Sequence, residues 1–389
     1  MNVHVGAVPY TAKEADYYEG RLNVLNQHFQ TMIEKKELLS GSYCLSHKGK
    51  VFANNSMGYF SYEEDEREFQ PDTIFMLASI TKTFTAVAIA KLVEDGKIRY
   101  DQTVGEIIEE FSEKPFDEVK IIHLLTHTSG LLCNEGSANP YASSVYELID
   151  WENPKDWIKA IRKHGFECKP GEQWHYNSMG FTLLGEIISR VSGQFANDYI
   201  MDQIIKPLGM KDTRFFRHKE FLNRYNIRTP EDKERLEKIA ACQNEEELMS
   251  IADTIIPGTA GRLYSTCSDL NIFGQMIVNY GTYNGIRILG RKAVECIKRI
   301  HTSGQEKDYC WGRTGIPHPY GAGFDMTIAY GLEQVVTPGS LVHEGFGTCS
   351  LMIDFEEKFV ATWAVQFRGS DWYIHSLRNV ASIMWSGIL

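Results

Sequence analysis

Several features of other protein classes are missing from this sequence. No window holds eighteen consecutive apolar residues, so we expect no transmembrane helix. No basic run stands out, and a net charge of −11 disfavours a broad phosphate-binding surface and therefore a nucleic-acid partner. The eight cysteines include no Cys-x-x-Cys pair, which argues against a zinc or redox site. Internal repeats and low-complexity tracts are also missing.

The N-terminal segment lacks the parts of a secretory signal. Residues Met1 to Pro9 contain neither a basic n-region nor a long apolar core. Scattered cysteines fit buried free thiols in a reducing compartment. We therefore expect a cytoplasmic protein, and the alternative is an exported form whose signal has been removed.

Composition and order predict an α+β protein. With 389 residues, 43% of them apolar, the chain suits one large globular domain or two closely packed lobes. Strand-like runs occur near both ends, and a mostly helical block lies between them. This order favours a sheet lobe from residues 1–100 and 255–389, a helical lobe from 101–254, and an active site between them.

Periodicity and turn residues place the individual elements. We expect strands at 41–46, 51–53, 73–76, 350–353 and 359–366. We expect helices at 14–36, 120–125, 157–164, 181–191, 197–205, 232–241, 269–280 and 373–385, with 219–248 as a surface-exposed helical insertion.

Ser79 and Lys82 form the only Ser-x-x-Lys in the chain, at the start of an apolar helical run. Residues three apart lie on the same face of a helix, so hydroxyl and amine are expected side by side. The positive end of the helix dipole favours a developing alkoxide. Such a pair can activate a serine without histidine. The alternative is a capping serine followed by a solvated lysine.

Two further segments are candidates for chemistry. Tyr176 stands in a loop between a Pro-Gly turn and a helix, where a phenolic hydroxyl beside a lysine can relay a proton. Its alternative role is to anchor the loop. His343-Glu344-Gly345 is expected at a strand edge, where glycine lets a ligand approach the backbone and an N–H can bind an oxyanion.

These and other short stretches follow one another in a recognisable order. They are 78–82, 122–131, 170–176, 180–185, 208–210, 260–261, 265–266 and 343–345. From about Gly41 onward, the chain resembles the serine β-lactamase and penicillin-binding-protein family, especially its class C-like branch. That branch includes D,D-carboxypeptidases, D-aminopeptidases and β-lactamase-like carboxylesterases.

The resemblance implies a fold and a set of roles. The fold would be β-lactamase/transpeptidase-like, with an antiparallel sheet flanked by helices and an inserted, mostly helical lobe. Ser79 would be the acylated nucleophile, and Lys82 and Tyr176 would share general acid–base catalysis. His343 would lie beside Tyr176. Backbone N–H groups of Ser79 and Phe346 would hold the oxyanion. The reaction would be acyl transfer and hydrolysis of a small-molecule or short-peptide substrate, without metal or cofactor.

The second family motif is altered in this chain. It usually reads Tyr-x-Asn, and the asparagine hydrogen-bonds the substrate's acyl-amide group. Here the sequence is Tyr176-Asn177-Ser178. Either Asn177 substitutes through a shifted loop, or the contact is weakened to the single hydroxyl of Ser178. Both residues, together with Glu344 and Gly345, are candidates for substrate binding.

The third motif is altered as well. It usually reads Lys/His-Thr/Ser-Gly, but the middle residue here is Glu344. A carboxylate beside a substrate carboxylate costs on the order of 1 kcal/mol or more, which disfavours β-lactams. Two interpretations follow. Glu344 selects neutral or amine-bearing substrates, or it points into solvent or pairs with an arginine.

Two further segments, the turn at 127–130 and the aromatic residues between 311 and 324, have possible structural roles. His127-Thr128-Ser129-Gly130 is interpreted as a structural turn, since Thr and Ser there can bond local backbone. Trp311, Tyr320 and Phe324 either line an acyl pocket or pack in the core. The leading hypothesis is a serine hydrolase for an ester or amide. The alternative is a penicillin-binding or sensor protein that is acylated but turns over slowly.

Overall fold

The computed structural model describes most of the chain. Its described residues are 1–64, 67–132, 149, 154–244, 247–248, 255–302, 307–308, 316–326, 335–346, 348–367 and 375–389. No helix within these ranges has the length and apolar character needed to cross a membrane.

The α-helices among these residues are α1 (Gly20–Glu34), α2 (Thr81–Glu94), α3 (Ile121–Leu125), α4 (Trp157–His164), α5 (Ser178–Ser192), α6 (Ala196–Ile200), α7 (Pro230–Ala241), α8 (Cys267–Val278), α9 (Arg291–Ile297) and α10 (His375–Trp385). The strands are β1 (His4–Val5), β2 (Leu38–His47), β3 (Lys50–Gly58), β4 (Phe75–Met76), β5 (Gln173–Trp174), β6 (Tyr264–Ser265), β7 (Thr282–Tyr283), β8 (Ile286–Arg287), β9 (Lys307–Asp308), β10 (Ile316–Pro317), β11 (Asp325–Met326), β12 (Leu341–Gly345), β13 (Cys349–Asp354) and β14 (Phe359–Phe367).

Both ends of the chain build one seven-stranded sheet. Its order is β1-β3-β2-β14-β13-β12-β11, and every neighbouring pair is antiparallel. In the middle of the sheet β2 pairs with β14, where His47 faces Phe359. The predicted α+β class, with an antiparallel sheet flanked by helices, is confirmed.

Alternate residues of β14 pack into two different hydrophobic cores. Ala361 and Trp363 pack on the sheet face that is covered by α1 and α10. Val360 and Ala364 join the larger core around α2, α5 and α8 on the other face. Side chains of a strand alternate between faces, so this apolar, β-branched and aromatic-rich segment is buried on both sides.

The helix α2 is buried around its whole circumference. Residues Thr81 to Ala90 and Leu92 are all buried. A helix that is apolar on every side belongs in the interior rather than at the surface. It packs against α5, α6 and α9. Because α2 follows Ser79 directly, packing on all sides fixes the position of that serine.

The described part of residues 101–254 is mainly helical, as predicted, and α4 has the predicted bounds. The helix α5 starts at Ser178, three residues earlier than expected, because the Asn177 side chain accepts a hydrogen bond from the Gly180 N–H. One strand interrupts the helices: β5 pairs in parallel with β9. The lobe boundaries at 100 and 255 stay predictions.

Several predicted elements differ in extent. The helix expected at 14–36 is α1 (Gly20–Glu34), and the strand expected at 51–53 extends over β3 (Lys50–Gly58). The strand expected at 73–76 is only the two-residue β4, which pairs with β6 outside the main sheet. The insertion at 219–248 contains α7, which is capped by Thr229. It buries Leu236 in a small cluster with Tyr225 and Ile227. That cluster holds α7 against the outer part of the sheet lobe.

Candidate active site

Ser79 lies directly before the central helix. A single 3₁₀ turn, Ala78–Ile80, runs into α2. The Leu77 N–H donates to the Leu263 carbonyl at 2.8 Å, which ties this turn to the segment before β6. The serine therefore stands at the N-terminal end of α2, where the helix dipole favours negative charge.

The Lys82 amine bonds to the serine hydroxyl and to two other partners. Its Nζ donates to Ser79 Oγ at 3.0 Å, to Ser178 Oγ at 3.0 Å and to the Ala260 carbonyl at 2.8 Å. The side chain is 0% exposed. The i, i+3 spacing thus places amine and hydroxyl in contact, as the sequence predicts, and the alternative of a solvated lysine is wrong.

Tyr176 completes a group of three. Lys82 Nζ lies 4.9 Å from the centroid of its ring, within the range of an attractive cation–π contact. The half-buried ring also lies 6.2 Å from the ring of Trp174. Ser79, Lys82 and Tyr176, which lie far apart in sequence, therefore meet around one amine.

His127 fixes the segment that carries Tyr176. Its carbonyl accepts from the His175 N–H at 2.8 Å, and its Nδ1 accepts from the Asn177 N–H at 3.0 Å. The imidazole also lies 4.5 Å from the Tyr176 ring. His127 thus bonds the backbone on both sides of Tyr176 and contacts its side chain. Sequence reasoning identified the turn but missed this contact.

The imidazole of His127 is held neutral. Burial, followed by the nearby Lys82, keeps the pKa of His127 well below its usual range. Because Nδ1 accepts a hydrogen bond, the proton resides on Nε2. Among the described residues, Nε2 has no hydrogen-bond partner.

Asn177 and Ser178, the two candidates for the hydrogen bond to the substrate's amide, direct their side chains to other groups of the protein. The Asn177 side chain donates to the Leu131 carbonyl at 2.8 Å and accepts from the Gly180 N–H at 2.9 Å. Its amide is therefore engaged with backbone groups as a helix cap. Ser178 is buried and directs its hydroxyl to Lys82. In this chain the second motif therefore supplies a hydrogen-bond partner for Lys82, which is Ser178, and an N-cap for α5, which is Asn177.

His343 is a second neutral histidine near Lys82. Its Nδ1 lies 2.9 Å from the Glu344 carbonyl, which can only accept, so Nδ1 carries the proton. Burial, followed by the charge of Lys82, lowers the pKa of His343 to about 4. Its Nε2 is an acceptor with no hydrogen-bond partner among the described residues.

The end of β12 packs closely on the turn before Ser79. A Cβ added to Gly345 would lie 2.2 Å from the Leu77 carbonyl oxygen and 2.5 Å from Cys349 Sγ. Only glycine permits this approach. The next residue is Phe346, whose N–H is the predicted oxyanion donor. Glu344 is exposed and lies on the opposite face of β12 from His343.

Unusual backbone conformations gather around these residues. Ala78, His127 and Phe346 have φ values of 45°, 58° and 43°. Left-handed conformations are costly for residues with a Cβ, and such residues concentrate at functional sites. The three positions precede the serine, flank the tyrosine and follow the strand end.

The residues considered for an acyl pocket belong to the interior. Tyr320 and Phe324 are 2% and 0% exposed, and Tyr320 packs beside Trp174. Trp311 lies outside the described residues. Within the residues that the structure covers, no group of three His, Cys, Asp or Glu side chains has an arrangement suited to a metal ion.

We expect Gly345→Ala to impair reaction at Ser79. The added methyl would push β12 away from Leu77 and displace the Phe346 N–H, and loss of an oxyanion donor lowers rates about 10²-fold. The measurement is the rate of Ser79 labelling by a fluorophosphonate probe. Gly49→Ala is the control for loss of stability alone, because its φ of 81° disfavours alanine while a Cβ there meets nothing within 4 Å. Labelling of a folded Gly345→Ala variant at the wild-type rate would contradict this packing argument.

We expect His343 to make stability depend on pH. Its pKa is about 4 in the folded protein and 6.5 in an ordinary setting, so between these values only the unfolded chain binds the proton. The free energy of unfolding therefore rises with pH across this window, by up to about 1.4 kcal/mol per pH unit. His343→Gln should reduce that slope in urea unfolding at pH 4.5, 5.5 and 6.5. An unchanged slope would show that His343 binds its proton equally well in the folded and unfolded states.

Comparison with known proteins agrees with this geometry. A family model described as Beta-lactamase matches residues 25–377. Penicillin-binding protein 4* of Bacillus subtilis is 31% identical over 200 residues, which cover 49% of this chain and 42% of that protein. The chain thus spans less than half the length of this curated relative.

Solved structures share the whole fold at lower identity. A penicillin-binding protein homologue from Caulobacter crescentus has a TM-score of 0.74 at 18% identity, covering 99% of this chain and 100% of its own. A family VIII carboxylesterase has a TM-score of 0.71 at 17% identity, covering 98% and 99%. Since the family model matches most of the chain, this protein belongs to the beta-lactamase family.

Proposed function

We propose that this chain is a serine hydrolase that cleaves a small ester or amide through a covalent acyl-enzyme on Ser79. The observation that carries the proposal is the 3.0 Å contact between the buried Lys82 amine and the Ser79 hydroxyl. An amine at this distance is in reach of the hydroxyl proton as the oxygen attacks. Membership of the beta-lactamase family supports the same reaction class.

Before the first step, the Lys82 ammonium, which donates to three acceptors, releases one proton to solvent. Ser79 Oγ then attacks the substrate carbonyl carbon, and the neutral Lys82 amine takes the hydroxyl proton. One N–H of the neutral amine is donated to the Ala260 carbonyl, and the other to Ser178 Oγ. The amine lone pair then remains for Ser79. In this proposal Ser178 orients Lys82 instead of contacting substrate.

The carbonyl oxygen becomes negative as the new bond forms, and the backbone N–H groups of Ser79 and Phe346 stabilise it. When the intermediate collapses, the leaving group departs with the proton from Lys82, relayed through the Tyr176 hydroxyl. A water molecule then attacks the ester and gives its proton to the Lys82 and Tyr176 pair. Ser79 regains a proton as the acid product leaves.

The third motif favours substrates without a carboxylate at this position. His343 is neutral at physiological pH, because its pKa is lowered to about 4. Glu344 adds an exposed acidic side chain to the same strand end, on the opposite face of β12 from His343. The pair supplies no fixed positive charge, so we propose neutral or amine-bearing substrates, such as short acyl esters or N-terminal D-amino acid amides. Solved structures with this fold include a carboxylesterase.

Covalent labelling tests the proposal. A fluorophosphonate should form an adduct that mass spectrometry places on Ser79, and Ser79→Ala should abolish it. The matched control is Ser129→Ala, a buried serine of the neighbouring turn, which should keep its labelling. A p-nitrophenyl ester should be turned over by the wild-type protein.

The other outcomes separate the alternatives. Absence of any adduct on Ser79 would overturn the acyl-enzyme proposal. A lasting adduct with a fluorescent penicillin, without ester turnover, would instead identify a slowly deacylating penicillin-binding protein, the class named for the Bacillus subtilis relative.

Glu344→Thr tests the substrate preference. Removing the carboxylate should raise kcat/KM for the β-lactam nitrocefin about fivefold, because a repulsion on the order of 1 kcal/mol is lost. Activity on a neutral p-nitrophenyl ester should change much less. Glu356→Thr, an exposed acid in the turn between β13 and β14, serves as control. No gain on nitrocefin would remove Glu344 as a selective element.

A further inference from the structure

Phe346 combines two unfavourable properties. Its side chain is 69% exposed, although it is a large aromatic ring. Its backbone is left-handed, with φ of 43°. Among the described residues, it alone is both a large exposed apolar residue and a non-glycine residue with positive φ.

Each property costs stability. A left-handed conformation strains a residue with a Cβ, whereas glycine adopts it freely. An exposed aromatic ring forgoes the gain of burial. Other left-handed residues outside the site, such as Lys48 and Asn284, are polar side chains in hairpin turns. A glycine or asparagine would suit position 346 better if only the backbone mattered.

The location of Phe346 suggests what the ring contacts. It follows Gly345, which packs on the Leu77 carbonyl two residues before Ser79. Its N–H is the proposed oxyanion donor, and its Cβ is only two bonds from that nitrogen. The ring therefore stands beside the place where a substrate carbonyl would bind.

The two substituents of a bound carbonyl point in different directions. The leaving atom must face the proton donors Lys82 and Tyr176, which belong to α2 and to the loop before α5. Phe346 comes from the other wall of the site, at the end of β12. The acyl substituent is the one that extends toward this wall.

We propose that the Phe346 ring is an apolar contact surface for the substrate's acyl group and gives preference to acyl chains of several carbons over acetyl. The inference rests on the proposed function and adds the chemical class of the acyl group. Each methylene group that is fully removed from water strengthens binding roughly fourfold, so partial cover of a hexanoyl chain is enough for about tenfold selectivity.

The test compares p-nitrophenyl hexanoate with p-nitrophenyl acetate. We expect Phe346→Asn and Phe346→Gly to lower the hexanoate-to-acetate ratio of kcat/KM about tenfold, mainly through KM for hexanoate. Phe346→Leu should retain most of the ratio. Both Asn and Gly accept the left-handed backbone, so these variants should fold. Phe346→Gly should also raise the melting temperature, because the backbone cost is removed.

A matched control removes an exposed apolar side chain elsewhere. Ile286 is 44% exposed in a hairpin whose Arg287 pairs with Glu94, at the end of α2 far from Ser79. Ile286→Asn should keep the wild-type ratio.

The possible failures are distinct. If the wild-type protein cleaves both esters and the ratio is unchanged in Phe346→Asn and Phe346→Gly, the acyl contact is wrong and the hydrolase proposal stands. An equal loss on both esters would assign Phe346 to the oxyanion backbone alone and also overturn the contact. If the wild-type protein cleaves neither ester and Ser79 is not labelled, both proposals fail.

Discussion

The buried amine of Lys82 is the point where three distant parts of the chain meet. It bonds to Ser79 one turn earlier, to Ser178 at the start of α5 and to the Ala260 carbonyl before β6. A buried polar group that loses a partner costs about 1–3 kcal/mol, so each of these contacts stabilises the packing of the segments that carry it. The proposed reaction centre and the junction between these segments therefore depend on the same atoms.

A second constraint comes from the sheet. The end of β12 approaches the turn before Ser79 so closely that Gly345 has no room for a side chain. The buried Cys349 thiol lies between the same two segments, 3.4 Å from the Leu77 carbonyl. Left-handed residues at Ala78 and Phe346 mark both sides of this contact. Local conformational cost is concentrated where sheet and helix must meet, and the packed core around α2 stabilises the arrangement.

Parts of this arrangement are encoded locally and could be predicted. Helical periodicity places Lys82 beside Ser79, and the β-branched, aromatic composition of 359–366 predicts a strand. The cap formed by Asn177 also had a local signal, since asparagine before a helix is a preferred N-cap. The family motif instead predicts that Asn177 binds substrate.

Other parts have no local signal. The Ala260 contact uses a backbone carbonyl, which any residue type would supply. The role of His127 depends on a left-handed turn that brings its ring to Tyr176, 49 positions later in the chain. Two-residue strands such as β5 and β9 are too short for periodicity and form because a distant partner is present.

The pairing of β2 with β14 has a consequence for how this protein is made. Residues near position 47 must wait for residues near position 359 before the middle of the sheet can close. Such long sequence separation slows folding, because loop entropy is lost before the contact forms. On the ribosome, the helix that carries Ser79 emerges well before the strands that complete its surroundings. A nascent chain therefore contains Ser79, the proposed nucleophile, before the strands near positions 341–367 that complete its surroundings have been synthesised.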